Sequence, residues 1–278
     1  MIRGFCLVSV VTLILAVAAP AQTAGQFRWQ QGQVLTYQVE HNTSAADVVG
    51  DKKNESKTKL NLTKRWQVLE TDAAGVGTLQ LSLVGLRLEV STPSGGTLLF
   101  DSANLDKSDP HMREELGKFL GRPLAVLRID PRGRVIEVKE SKNGSASKYE
   151  MEPPFVVTLA EDGLKAGQQW EREYKITLEP PQGTGDKYDA VQTYACKALS
   201  DTTATMTLSS ALKAIPESVL DRVPLLQLQP EGEVVFDMQA GRLQSASLHI
   251  EKELKGHQGE GSSYKFQSTY SEKYVDGK

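Results

Sequence analysis

The side chains of this chain that are best suited to proton transfer or metal binding are its four histidines: His41, His111, His249 and His257. Metal sites and zincin-type catalysis place histidines three to five residues apart, or beside an acidic residue at a fixed spacing. None of the four has such a neighbour in the sequence. We therefore predict a surface or helix-capping role for each of them, with no metal site and no cofactor.

Nucleophilic side chains also lack a catalytic setting. Serine is plentiful, but no Gly-x-Ser-x-Gly elbow occurs. Cys196 stands in a strand-like segment near Ala195 and Ala198, which predicts a small buried apolar side chain. Paired carboxylates such as Glu114 and Glu115 lie in segments that we expect to be exposed, whereas glycoside hydrolysis needs two carboxylates held in one cleft. The sequence predicts no catalytic residue, and a hydrolase is the least favoured function.

Aromatic side chains point to binding instead of catalysis. They fall mostly on the apolar phase of predicted strands in both halves of the chain. If the sheets form a barrel or half-barrel, these side chains line a cavity suited to a lipid or another apolar ligand. The alternative is that they fill the core between sheets. The candidate ligand-binding residues are Trp29, Tyr37, Trp66, Trp170, Tyr174 and Phe266.

The first residues of the chain indicate secretion. Arg3 is followed by an apolar run over residues 5–19, and Ala19-Pro20-Ala21 offers a small-x-small cleavage site. The run is shorter than the roughly 20 residues that cross a bilayer. We predict a signal peptide over residues 1–21, cleaved after Ala21, a secreted or periplasmic location, and no membrane span in the remainder.

Composition excludes two classes of partner. The chain of 278 residues carries 32 basic and 35 acidic side chains, a net charge of −3, without a polybasic run. Nucleic-acid binding and electrostatic attachment to an anionic membrane both need a basic patch, so neither is expected. The single cysteine that follows the predicted cleavage site cannot form an intrachain disulfide.

Hydrophobic periodicity predicts a mainly β protein built from antiparallel sheets. Leu35, Tyr37 and Val39 alternate with polar residues, and the same period of two recurs along most of the chain. A slip in this phase at Val84-Gly85 predicts a β-bulge. The polar segment over residues 42–56 is predicted to be a mobile loop.

One or two short helices are predicted beside the strands. Asp109 is a suitable N-cap and Pro110 a suitable first helical residue, and Gly121 ends the apolar periodicity that follows. A weaker helical pattern covers residues 154–162.

Two short motifs occur once in each half of the chain. Gly-Gln precedes an aromatic strand at residues 32–33 and again at residues 167–168. Asp followed by Gly-Arg and an apolar residue occurs at residues 130–135 and again at residues 237–243. We predict two related β units over residues 22–147 and 148–278, forming a curved sheet, half-barrel or sandwich, either as two domains or as one continuous domain. The alternative is that the two halves are unrelated and share these motifs because antiparallel β proteins use the same common turns.

These motifs, spread over residues 27–275, resemble a family of secreted bacterial β-rich proteins that is itself a domain of unknown function. More loosely, the hairpins resemble those in the curved sheets of periplasmic lipoprotein carriers. The resemblance implies a β-rich secreted protein and transfers no catalytic residue.

Three functions remain open. The first is a non-enzymatic secreted or periplasmic protein that binds a lipid or other apolar ligand. The second is a structural or protein-interaction module that contacts another envelope protein. The third is a hydrolase, for which the sequence offers neither a nucleophile–base pair nor a metal set.

Overall fold

The structure is a computed structural model that describes residues 25–92, 95–142, 148–149, 157–181 and 183–276. The predicted signal peptide and its cleavage site lie outside the described residues. The described residues form twelve strands and two short α helices.

The first half of the chain contains six strands and one helix: β1 (Val34–Val49), β2 (Lys52–Thr71), β3 (Gly77–Ser91), β4 (Thr97–Asp101), α1 (Pro110–Gly117), β5 (Pro123–Ile129) and β6 (Val135–Ser141). The second half contains the others: β7 (Gln169–Thr177), β8 (Lys187–Leu199), β9 (Thr203–Leu212), α2 (Val219–Leu226), β10 (Glu231–Asp237), β11 (Arg242–Lys255) and β12 (Ser263–Val275).

All twelve strands belong to one antiparallel sheet, so the predicted mainly β fold is confirmed. The strand order is β6-β5-β3-β2-β1-β12-β11-β10-β9-β8-β7, with β4 paired to the far part of β3. A long ladder between β1 and β12 joins the two halves at the centre of the sheet. The sheet curves but does not close, because β6 and β7 form its two edges.

The sheet buries one face and exposes the other, as the alternating pattern predicts. Leu35, Trp66 and Leu79 on the first half share one apolar cluster with Met206 and Phe236 of the second half. We call this cluster the main core and the buried side of the sheet its inner face. Because alternate residues of a strand point to opposite faces, every second residue of the central strands points inward.

The segment before β1 closes one end of the curved sheet. Phe27 stacks on Trp29 with 5.0 Å between ring centroids and meets Phe236 edge-on at the same distance. The backbone N–H of Phe27 donates to Pro131 O at 2.7 Å. The next residue, Arg28, likewise donates its N–H to the carbonyl oxygen of Gly241 at 2.9 Å. The segment therefore ties the β5–β6 turn to the β10–β11 turn.

The two Gly-Gln motifs occupy corresponding turns. The first lies before β1 and contacts β2, and the second lies before β7 and contacts β8. Each half then continues through a third strand and a short helix to a hairpin with an aspartate at its turn, Asp130 or Asp237. Each aspartate side chain accepts hydrogen bonds from backbone N–H groups of its own turn.

Two local predictions are confirmed. The register between β2 and β3 shifts at Thr63 and Lys64, where Val84 has no partner in the ladder, as expected for a bulge beside Gly85. Helix α1 begins at Pro110, and the Asp109 carboxylate accepts hydrogen bonds from the first-turn N–H groups.

Two other local predictions are wrong. Residues 42–56 are not a loop: except for the turn at residues 50–51, they belong to β1 and β2. Here the hairpin extends past the main core, so neither face carries the apolar alternation that marks a strand. The second helix is α2, whereas residues 157–162 contain no helix and residues 154–156 lie outside the described residues. Pro224 inside α2 masks its helical pattern.

Candidate functional site

Charged and polar side chains interrupt the inner face of the sheet just beyond the main core. In the ladder between β1 and β12, His41 faces Tyr270, and Val39 faces Glu272. Lys64 joins them from β2. We call the five residues that follow the inner polar layer: His41, Lys64, Ser268, Tyr270 and Glu272.

A buried ion pair forms the centre of this layer. The Lys64 ammonium lies 3.8 Å from Glu272 Oε1, and the two side chains are only 8% and 0% exposed. Lys64 also donates to the Tyr270 hydroxyl at 3.4 Å, and that hydroxyl donates to Glu272 Oε2 at 2.7 Å. Transferring both charges out of water costs free energy, and packed apolar side chains would not have this cost. The ion pair is therefore not explained by stability alone.

A histidine and a serine lie beside the ion pair. His41 Nε2 is 2.8 Å from Ser268 Oγ, and the His41 ring meets the Tyr270 ring edge-on. Burial, and secondarily the positive charge of Lys64, lower the pKa of His41 below its ordinary value. The imidazole is therefore neutral at neutral pH and available as a hydrogen-bond acceptor or donor.

The contact between His41 and Ser268 has the distance of a nucleophile–base pair, but its surroundings do not suit acyl transfer. Ser268 lies in β12, which pairs with β1 on one side and with β11 on the other. The backbone N–H groups around the serine are therefore committed to the sheet. An oxyanion needs such donors aimed at it, and this strand offers none.

An apolar cluster lies on the other side of the inner polar layer from the main core. Leu226 of α2 packs there against Ile250 and Phe266, with Leu254 and Tyr264 partly buried around them. We call it the α2 cluster. In the ladder Ile250 faces Ser268, so this cluster adjoins the polar layer directly.

Helix α2 meets the sheet through its side chains. Leu226 enters the α2 cluster, and Leu225 enters a further cluster with Tyr174 and Ile176. Gln227, which follows the helix, donates from Nε2 to the Tyr264 hydroxyl at 2.9 Å. The helix thus covers the inner face as a separate element between β9 and β10.

A buried aspartate holds α2 in place. The Asp221 carboxylate accepts hydrogen bonds from the backbone N–H of Thr184 at 3.0 Å, from the Thr184 hydroxyl and from the Tyr188 hydroxyl. Burial works to raise the pKa of Asp221, but these hydrogen bonds outweigh it and leave the pKa below its ordinary value. The same contact with Asp221, together with burial, raises the pKa of Tyr188 to about 12.

The six aromatic residues predicted to bind a ligand do not line one cavity. Trp29, Tyr37 and Trp66 belong to the main core, and Trp170 packs against its rim. The other two lie apart from them, Tyr174 in the cluster around Leu225 and Phe266 in the α2 cluster. Of the six, only Phe266 packs with a side chain of α2 other than Leu225.

Of the inner polar layer, only His41 was considered in the sequence analysis, which assigned it to the surface, and the other four residues were missed. Lys64 occupies the apolar phase of β2 between Leu62 and Trp66, and Glu272 occupies the inward phase of β12 with Tyr270. A charged residue in the apolar phase of a strand is the signal that could have identified them.

The predictions for the histidines are confirmed in part. His249 is exposed and lies 3.2 Å from Glu231, and His111 is exposed in the first turn of α1. His41 is half-buried on the inner face, and His257 is buried, so neither has the predicted surface position. His257 is buried in the β11–β12 loop with Nε2 2.9 Å from Asp47, because the long hairpins bring this loop against the end of β1.

Cys196 is a buried strand residue, as predicted, and burial raises the pKa of its thiol. Across the part of the chain that the structure describes, no group of three or more histidine, cysteine, aspartate or glutamate side chains is arranged to hold a metal ion. In the same residues no helix has the length and apolar character needed to cross a bilayer.

No family model and no curated protein matches the sequence. Among solved structures the chain is similar to lipovitellin, in a structure on lipid–protein interactions, with a TM-score of 0.47 and 11% identity over 88% of this chain. The chain spans about a quarter (25%) of the lipovitellin chain.

Two further similarities are weaker. A DUF1329 family protein from Desulfovibrio piger has a TM-score of 0.15 and 12% identity, covering 88% of this chain and 85% of its own. MucB in complex with the periplasmic part of MucA has a TM-score of 0.14 and 8% identity, covering 86% and 89%. At these scores the similarities do not establish a shared family.

Proposed function

We propose that this is a non-enzymatic secreted or periplasmic protein that binds a lipid or another apolar ligand on the inner face of its sheet, beneath α2. One observation carries the proposal. The α2 cluster is an apolar cluster distinct from the main core, with His41 on β1 and Ser268 on β12 lying between the two, and it is covered by one short helix that contacts the sheet through side chains.

The two sides of this site suit the two ends of an amphiphile. An acyl chain that displaced Leu226 would pack against Ile250 and Phe266, where apolar burial favours it. Its polar end would then lie near His41 and Lys64, which already carry the hydrogen-bonding groups that a carboxylate or ester needs.

The other functions that the sequence left open have less support. Strand addition by a protein partner would use β6 or β7, and both edges carry many charged side chains, such as Glu171, Arg172 and Glu173 on β7. Charged edges disfavour pairing with another strand. A hydrolase is disfavoured by the paired backbone around Ser268.

Native mass spectrometry of residues 22–278, purified from the secretory compartment, tests the proposal. We expect excess mass that disappears on denaturation and extracts into organic solvent. Ile250→Ser should lower the ligand-bound fraction, because it removes a side chain that the acyl chain would contact, whereas Leu199→Ser, at an exposed leucine of β8, should leave it unchanged. A bare polypeptide mass, or equal occupancy in both variants, would reject the site.

Two finer statements belong to the same proposal. We propose that residues 1–21 are removed after Ala21, which N-terminal sequencing of the secreted protein tests directly. We also propose that residues 22–147 and 148–278 are related β units of a family like that of the DUF1329 protein. The corresponding Gly-Gln turns and aspartate hairpins of the two halves support the relation between the units.

A further inference from the structure

The most exposed large apolar side chains of the described residues lie together at the start of α2. Ile215 is 82% exposed and Leu220 is 77% exposed, whereas the next in rank, Ile136, is 48% exposed. Val219 lies between them in the sequence and is also exposed. We call Ile215, Val219 and Leu220 the α2 tip.

The exposed start of α2 is also apolar. Leu225 and Leu226 are buried against the sheet, whereas Leu220, on the side of the helix away from both, is 77% exposed. Val219 lies on the same side as Leu226 but is exposed because it begins the helix. An amphipathic surface helix has only one apolar side, which it buries against the protein. Apolar side chains that remain exposed elsewhere on the helix therefore gain free energy from contact with a second apolar environment.

The α2 tip is held outward by the fold. Arg222 Nε donates to Pro216 O at 2.8 Å, which fastens the segment before the helix against its first turn. Asp221 anchors the opposite side of the same turn to Thr184 and Tyr188. These contacts stabilise the arrangement in which Ile215 and Leu220 are exposed.

We propose that the α2 tip inserts into the surface of a lipid bilayer. Three side chains cannot supply the roughly 800 Å² that each partner contributes to a standard protein interface. A bilayer needs no complementary surface and accepts a few apolar side chains at the level of its headgroups. Insertion at this point brings the membrane against the outer side of the helix that covers the α2 cluster.

The insertion does not depend on anionic phospholipid. Around the tip the two basic residues Lys213 and Arg222 are balanced by the two acidic residues Glu217 and Asp221, and Lys213 also pairs with Glu173. The tip thus has no cationic surplus to attract anionic headgroups, and its attachment should be insensitive to salt.

Flotation of residues 22–278 with phosphatidylcholine vesicles tests the proposal. We expect the wild-type chain to float at low and at high salt. The double variant Ile215→Ser/Leu220→Ser should lower the vesicle partition coefficient about tenfold or more. The control Ile136→Ser/Leu199→Ser, at exposed sites on β6 and β8, should float like the wild type.

Three outcomes would overturn the proposal: a wild-type chain that stays with the unbound fraction, a double variant that floats equally well, or a wild-type dimer that the double variant dissociates. The substituted residues are exposed, so an unchanged thermal unfolding midpoint verifies that the variants fold. Membrane attachment and ligand binding are separable, because the mass measurement on the purified chain does not involve vesicles.

Discussion

Gly32 and Gly167 lie in equivalent turns at the entrance to the two halves of the sheet. Their φ angles are +82° and +78°. Gly32 N–H donates to Val68 O on β2, and Gly167 N–H donates to Cys196 O on β8, both at 2.8 Å. In each half the carbonyl of the following glutamine accepts the N–H of the same strand residue. The repeated Gly-Gln dipeptide thus marks a repeated structural requirement.

Replacing either glycine by alanine should destabilise the protein by a similar amount. Neither site has an atom near the position that a Cβ would take, so the cost comes from the positive φ alone, about 1–2 kcal/mol. Urea unfolding of Gly32→Ala and Gly167→Ala measures it. Gly117→Ala, in α1 with open space around it, is the control and should be neutral or slightly stabilising. A neutral Gly167→Ala would contradict the equivalence.

The Lys64–Glu272 ion pair should behave as a coupled unit. Lys64→Met removes the ammonium that lies 3.8 Å from the buried Glu272 carboxylate, and removing one partner of a buried ion pair costs about 3–5 kcal/mol of unfolding free energy. Adding Glu272→Leu should restore most of that loss. The exposed pair of Lys175 and Asp189 is the reference, and Lys175→Met should cost at most about 1 kcal/mol. Additive effects of the two buried substitutions in chemical denaturation would show that the charges are not coupled.

The protein should lose stability as the pH falls through the titration range of His41. The native state lowers the pKa of His41, so the unfolded chain binds a proton more readily, and stability is complete only above the unfolded value near 6.5. Unfolding free energies at pH about 7.5 and about 5.5 measure the loss. His41→Gln should reduce it, whereas His249→Gln, at an exposed histidine, should not. An unchanged pH dependence in His41→Gln would refute the assignment.

Weakening the anchor of α2 should expose that helix without unfolding the sheet. Asp221→Asn replaces an ionised acceptor by a neutral amide, and hydrogen bonds to charged groups contribute about 1.5–3 kcal/mol each. Amide hydrogen exchange should therefore accelerate in residues 213–230 and stay unchanged in β1 and β12. Asp189→Asn, which neighbours Tyr188 on the exposed face, serves as the control. Uniform acceleration across the sheet would mean that α2 is not a separate element.

The strands could be predicted from the sequence wherever one face contacts the main core. Burial imposes a period of two, so the alternation of Leu35, Tyr37 and Val39 identified the first part of β1, and the bulge at Val84 was recognised. Residues 42–56 were missed because their ladder extends beyond the core, where both faces of the strands tolerate polar side chains. The polar residues of that hairpin have the composition of a loop, although the register between β1 and β2 continues through them.

The candidate site could not be predicted, because it depends on strands that are distant in the chain. His41 and Ser268 are 227 residues apart and meet only through the β1–β12 ladder. Local periodicity identifies the inward phase of each strand, but not which strands are neighbours. The aromatic residues were noticed for their type, and most of them proved to be core side chains.

The ladder between β1 and β12 also sets the order in which the molecule can assemble. Each half consists mainly of neighbouring hairpins that can form as soon as their own residues are available, whereas the central pairing closes one of the largest loops in the chain. Until β12 has been synthesised, β1 presents an unpaired edge. Such an edge can pair with another chain, so folding is favoured by rapid completion of the sheet or by a partner that shields β1 until β12 is in place.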